Sequence, residues 1–152
     1  MTRDYTSVRE RAAAIDGDRE ARMEAFVDVL WEILAPTGVS WAGFYLDAGD
    51  GENLVLGPRR DKPACSPIGL HGACGVCFTT REPLIVRDVA ELGGAYIACD
   101  PRDRSEVVVP CIDESGACWG VLDLDSWDVG SFSRADAEEL RAALHAAGLT
   151  TR

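Results

Sequence analysis

The chain has 152 residues, 47% of them hydrophobic and 27% charged, which suits one soluble globular domain over residues 1–152 and excludes a disordered chain. Its 26 Asp and Glu outnumber 15 Lys and Arg, and the formal charge of -11 repels phosphate backbones and anionic lipid surfaces, so neither nucleic acid nor a membrane is expected as a partner. Six cysteines are the unusual feature of this composition. The N-terminal stretch carries scattered charge with no apolar run before a small-residue cleavage site, so no secretory signal is expected and a cytoplasmic location is. Reducing conditions there disfavour a disulfide scaffold and leave buried small hydrophobes, metal ligands and redox-active thiols as roles for the cysteines.

In chain order, residues 7–15 are helix-like, and Asp16-Gly17-Asp18 breaks or caps the next segment. Met23, Phe26, Val27, Leu30, Trp31 and Leu34 then recur at spacings of three and four, one face of an amphipathic helix that Pro36 ends. The aromatic and β-branched run at 39–46 predicts a strand, and a polar, glycine-bearing turn joins it to a second strand at Asn53-Leu54-Val55-Leu56-Gly57. Residues 58–82, with three prolines, three glycines and Cys65, Cys74 and Cys77, read as an irregular loop with room for short helical turns.

A short strand from Pro83 and a second glycine-containing loop holding Cys99 follow. Strands at 105–112 and 117–126 are joined by the turn Glu114-Ser115-Gly116. A helix closes the sequence, opened by a capping box of Ser133 and Asp136 and carrying Leu140 and Leu144 on one stripe. The whole reads as an α+β fold: a central antiparallel β-sheet with the N- and C-terminal helices on one face and ligand-covering loops on the other.

Strand alternation puts Trp119, Val121, Asp123 and Asp125 on one face of the last strand, with Leu122 and Leu124 on the other. Pairing with residues 105–112 brings Glu106 towards the two aspartates, and convergence under a loop would raise the pKa of at least one carboxyl. One protonated acid beside one ionised acid suits a small amphoteric substrate; solvated strand-end acids are the plain alternative. Cys74 and Cys77 form a C-x-x-C, either a redox pair or half of a zinc site, but no second C-x-x-C or paired histidine completes four ligands, so no metal or other cofactor is expected. Cys111 and Cys118, inside apolar strands, read as core.

The motifs WAGFYL at 41–46, PAC at 63–65, GACG at 72–75, IACD at 97–100, SEVVVP at 105–110 and GVLDLDS at 120–126, in this order, resemble the free methionine-(R)-sulfoxide reductases, which are built on a GAF domain. The resemblance covers about residues 23–145 and departs from the family by an apparent one-residue insertion between Gly94 and Cys99 and by Cys77 in place of a small residue. It implies that Cys99 attacks the sulfoxide sulfur and becomes a sulfenic acid, that Cys65 resolves it as a disulfide, and that Cys74 is the third family cysteine. It further implies that Glu106, Asp123 and Asp125 contact the substrate, that Trp41 and Tyr45 line the pocket around its methyl sulfoxide, that thioredoxin is the reductant and that a homodimer can form. The competing expectation is a non-catalytic GAF module that senses a ligand or redox state, which would need an output domain for which 152 residues leave no room.

Overall fold

The computed structural model describes residues 2–95 and 99–152. Helices α1 (Tyr5–Ala13) and α2 (Arg19–Leu34) come first, each started by an aspartate whose side chain accepts from a first-turn amide: Asp4 from Ser7 and Asp18 from Ala21. Pro36 continues the chain as a short 3-10 turn rather than more α-helix, and Gly38 leaves it at φ 104.

Strands β1 (Trp41–Asp47), β2 (Asn53–Arg60), β3 (Ile68–Gly69), β4 (Leu84–Val86), β5 (Ser105–Ile112) and β6 (Cys118–Ser126) form one sheet in the order β3-β2-β1-β6-β5-β4. Every neighbouring pair is antiparallel. Helix α3 (Ala73–Thr80) follows β3, and α4 (Arg134–Ala146) closes the fold from the expected Ser133–Asp136 capping box.

Period-two alternation divides the sheet. Phe44, Val107, Val109, Cys111, Leu122 and Leu124 pack against the apolar faces of α1, α2 and α4, including Val8, Phe26, Leu30, Leu140 and Leu144. Each fully buried aliphatic or aromatic side chain there contributes about 1.5–3 kcal/mol, which makes this face the stability core. Trp41, Tyr45, Leu54, Val108 and Val121 face the other way, beneath α3 and the long loops, with Cys74 and Cys77 packed on them.

One expectation is made specific and another corrected. Residues 73–80 form two turns of helix within the stretch read as irregular, despite Gly75 and the β-branched Val76, Thr79 and Thr80, all weak helix formers. The helix exists because its buried side, Ala73, Cys74, Gly75 and Cys77, seats on the sheet, a gain that local propensity does not contain. The correction concerns Trp119. The register slips between Cys111 and Ile112, whose partners are Gly120 and Cys118, so Trp119 turns to the helix face. Its ring stacks on Phe44 at 6.2 Å between centroids, and the Arg19 guanidinium caps it at 4.3 Å.

Among the described residues, no helix is long and apolar enough to cross a membrane.

Candidate active site

On the loop face, the middle strands present the side chains that the sequence singled out. Register sets Glu106 of β5 opposite Asp125 of β6 and Val108 opposite Asp123, so the three acids share one face at adjacent rungs. On the other side of β6, Trp41 pairs with Asp125 and Gly43 with Asp123. A Cβ on Gly43 would come within 2.5 Å of the Trp41 indole and 2.7 Å of Arg59 Cβ; its absence lets the indole lie across the strand. Trp41 and Tyr45, with ring centroids 6.0 Å apart, then form one aromatic wall.

A small, partly enclosed cavity of about 40 Å³ opens over this face. Glu106, Asp123, Asp125, Trp41, Tyr45, Cys74 and Cys99 all line it, together with Asp103 and the small apolar surfaces of Ala64, Ile68 and Ala73. Of the residues expected at the site, only Cys65 is outside the lining, and it is covalently tied to it: Cys65 and Cys99 are joined in a disulfide with their Cα atoms 5.5 Å apart, across a sequence separation of 34. Both cysteines are solvent-exposed. Tyr96, Ile97 and Ala98, where the insertion and the start of the IACD motif fall, lie outside the described residues.

The aromatic wall also anchors the loop that carries Cys65. Trp41 Nε1 donates to the Lys62 carbonyl at 2.9 Å and the Tyr45 hydroxyl to the Cys65 carbonyl at 2.8 Å. Cys74 lines the cavity, whereas Cys77, three residues on along α3, does not and is fully buried against the sheet. Cys111 and Cys118 are buried too, the Cys118 thiol donating to the Gly120 carbonyl at 3.2 Å.

The electrostatics follow from burial without counter-charge. Glu106, Asp123 and Asp125 are 5%, 4% and 9% exposed, and Oε1 of Glu106 and Oδ1 of Asp123 have no hydrogen-bond partner among the described residues. Burial, and then mutual repulsion, pushes Asp123 and Asp125 well above the ordinary carboxylate range. Glu106 rises through burial, offset in part by the two aspartates, which can donate to it when protonated. Burial first, and then the charges of Asp123, Glu106 and Asp125, likewise holds the Cys74 thiol well above its usual value. The neighbouring cations are otherwise engaged: Lys62 and Arg102 both bind Asp100, and burial notwithstanding they keep its carboxyl below the usual range.

Asp103 is the site residue that the sequence did not disclose. It sits on the loop before β5, where no periodicity assigns a face, and only its place three residues before Glu106 hints at proximity. Burial, and then Asp100 and Glu106, raises its pKa to about 7. Because the unfolded carboxyl titrates near about 4, the folded chain holds this proton more tightly, and the corresponding stability, complete below about pH 4, is lost as pH rises to about 7. Urea midpoints of the wild type should therefore fall between pH 4 and 7 relative to those of Asp103→Asn. Parallel curves for the two proteins would contradict this account.

A family model of the GAF domain matches residues 18–150, and the chain belongs to the GAF domain family. Within that family its relatives include proteins named free methionine-R-sulfoxide reductase, from Saccharomyces cerevisiae and Escherichia coli. The one from Saccharomyces cerevisiae is 43% identical over 104 residues, 67% of this chain and 57% of that protein, so the aligned stretch spans little more than half of that relative's length. The reduced form of fRMsr of Staphylococcus aureus superposes with a TM-score of 0.85 at 32% identity, covering 96% of this chain and 94% of that one. Free methionine-R-sulfoxide reductase from Neisseria meningitidis, in complex with its substrate, gives 0.82 at 31% identity, covering 97% and 90%.

Proposed function

We propose that the chain reduces free L-methionine-(R)-S-oxide to methionine, with Cys99 as nucleophile, Cys65 as resolving thiol and a thioredoxin-type dithiol as reductant. The observation that supports this reading most is an exposed Cys65–Cys99 disulfide at the mouth of a cavity whose floor is a set of buried carboxyls. Reducing a sulfoxide needs a sulfur nucleophile and an acid directed at the same S–O group, and those two are adjacent here.

In this reading the Cys99 thiolate attacks the sulfoxide sulfur while one of the raised carboxyls protonates the oxygen. The S–O bond breaks, the oxygen ends on Cys99 as a sulfenic acid, and methionine leaves. The Cys65 thiol then attacks the sulfenic sulfur, forming the S–S bond and releasing water, and an external dithiol reduces that bond while itself becoming a disulfide. Carboxyls near a thiol oppose its ionisation, but acids kept protonated by burial carry no charge to repel the Cys99 thiolate. Glu106, Asp123 and Asp125 supply the countercharge for the substrate ammonium, whose arrival favours ionisation of at least one of them, and Trp41 and Tyr45 enclose the methyl end. A homodimer is part of the same reading.

The test is to supply each epimer of free methionine sulfoxide with thioredoxin, thioredoxin reductase and NADPH, and to measure methionine. Turnover of the R epimer with at least about a hundredfold preference over S is expected, since the wrong epimer directs its oxygen away from the acids. No turnover of the R form would overturn the proposal and leave a sensing role for the cavity.

A further inference from the structure

Among the described residues, the cavity lining contains four carboxyls and a thiol and not one Lys, Arg or His. Within it, Cys74 Sγ and one carboxylate oxygen each of Glu106 and Asp123 lie within 4.8 Å of one another, and all three residues are buried. Two further observations give this cluster a direction. Oε1 of Glu106 and Oδ1 of Asp123 are desolvated acceptors with no partner among the described residues, on side chains more than nine-tenths buried. The third donor is sulfur, which an ammonium group does not require but a borderline metal ion favours.

We propose that, with the Cys65–Cys99 disulfide closed, the cavity binds one borderline divalent cation of the zinc class through Cys74 Sγ, Glu106 and Asp123. Zinc accepts thiolate at about 2.3 Å and carboxylate at about 2.0–2.2 Å, and a tetrahedral arrangement places such donors about 3.3–3.6 Å apart. Closing from 4.8 Å is a movement of about 1 Å, within reach of side-chain rotation. On binding, Cys74 loses its S–H proton and any proton held by the Glu106 and Asp123 carboxyls also passes to solvent, the bonds to the metal replacing the S–H and O–H bonds with no change of oxidation state. The fourth position falls to Asp125 or a water molecule, and hard ions such as magnesium have no use for the sulfur. The cation occupies the space proposed above for the substrate ammonium, so the two exclude one another; this clause alone rests on the proposed function.

Cobalt(II) is the spectroscopic probe. Titrated into the disulfide form, it should bind at one equivalent per chain with a thiolate-to-metal charge-transfer band, be displaced by zinc and not by magnesium, and bind unchanged in Cys77→Ser. Cys74→Ser should lose the band, and Asp123→Asn should weaken binding at least about tenfold. As a check that needs no variant, zinc should slow alkylation of Cys74 in the wild-type disulfide form at least about tenfold, read by mass spectrometry. Retention of the band in Cys74→Ser, or equal alkylation of Cys74 with and without zinc, overturns the inference. A chain that binds cobalt here but fails to reduce either sulfoxide epimer would leave the site standing and overturn the proposed activity.

Discussion

Cys99→Ser is expected to lose steady-state methionine production by at least about a thousandfold, because a hydroxyl at neutral pH offers neither the thiolate's nucleophilicity nor a sulfur that can accept the sulfoxide oxygen. Cys65→Ser should behave differently. Its Cys99 can still take one oxygen, so a prereduced sample freed of small thiols should release one methionine per chain and then stop, with Cys99 held as a sulfenic acid that dimedone traps. Prereduced wild type should also release one methionine in the absence of reductant, but end as the Cys65–Cys99 disulfide and restart when thioredoxin is supplied. The contrast separates the nucleophile from the resolving thiol, and wild-type turnover in Cys99→Ser would refute the assignment. Cys74 is not an equivalent replacement for either residue, since burial above all holds it as a thiol.

Gly75→Ala carries the largest expected effect on the fold. A Cβ at this position would lie inside van der Waals contact of the Leu70 Cα, C and O atoms, all of them backbone that no rotamer change can move aside. Either α3 or the segment before it must shift, and Gly75 is adjacent to Cys74, which lines the cavity. A loss of about 2–4 kcal/mol in urea unfolding is expected, the range for forced overpacking with backbone displacement. Gly49→Ala serves as the comparison. Its φ of +81 imposes strain, but nothing lies within 4 Å, so a loss of about 1–2 kcal/mol is expected there. A Gly75→Ala chain as stable as the wild type would show that α3 does not seat as closely as the structure has it.

Particular residues show how far the sequence carries. Asp123 and Asp125 are two apart in a run whose intervening residues are apolar, so their common face follows from the strand period alone. Glu106 could be placed near them only by supposing that the two strands pair in the right register; the register of β5 with β6 is what puts it opposite Asp125. The same strand pairing overturned the reading of Trp119, because a slip of one residue sends a side chain to the other face and nothing in the local sequence announces it. Asp103 was missed for a related reason: a loop has no period, so no rule says which way its side chains point.

By itself, then, the sequence determined the α+β layout, the break between the first two helices at residues 16–18, the helix start at Ser133, the apolar faces of α2 and α4, and the paired aspartates of β6. These depend on local periodicity and capping, which neighbouring residues specify. Only the tertiary structure decided that residues 73–80 are helical, that Cys74 rather than Cys77 meets the cavity, that Cys65 and Cys99 close a disulfide, and that Asp103 joins the acids. Each of those depends on segments far apart in the chain excluding water from a common surface, and that burial both induces the helix and shifts the proton affinities of the site.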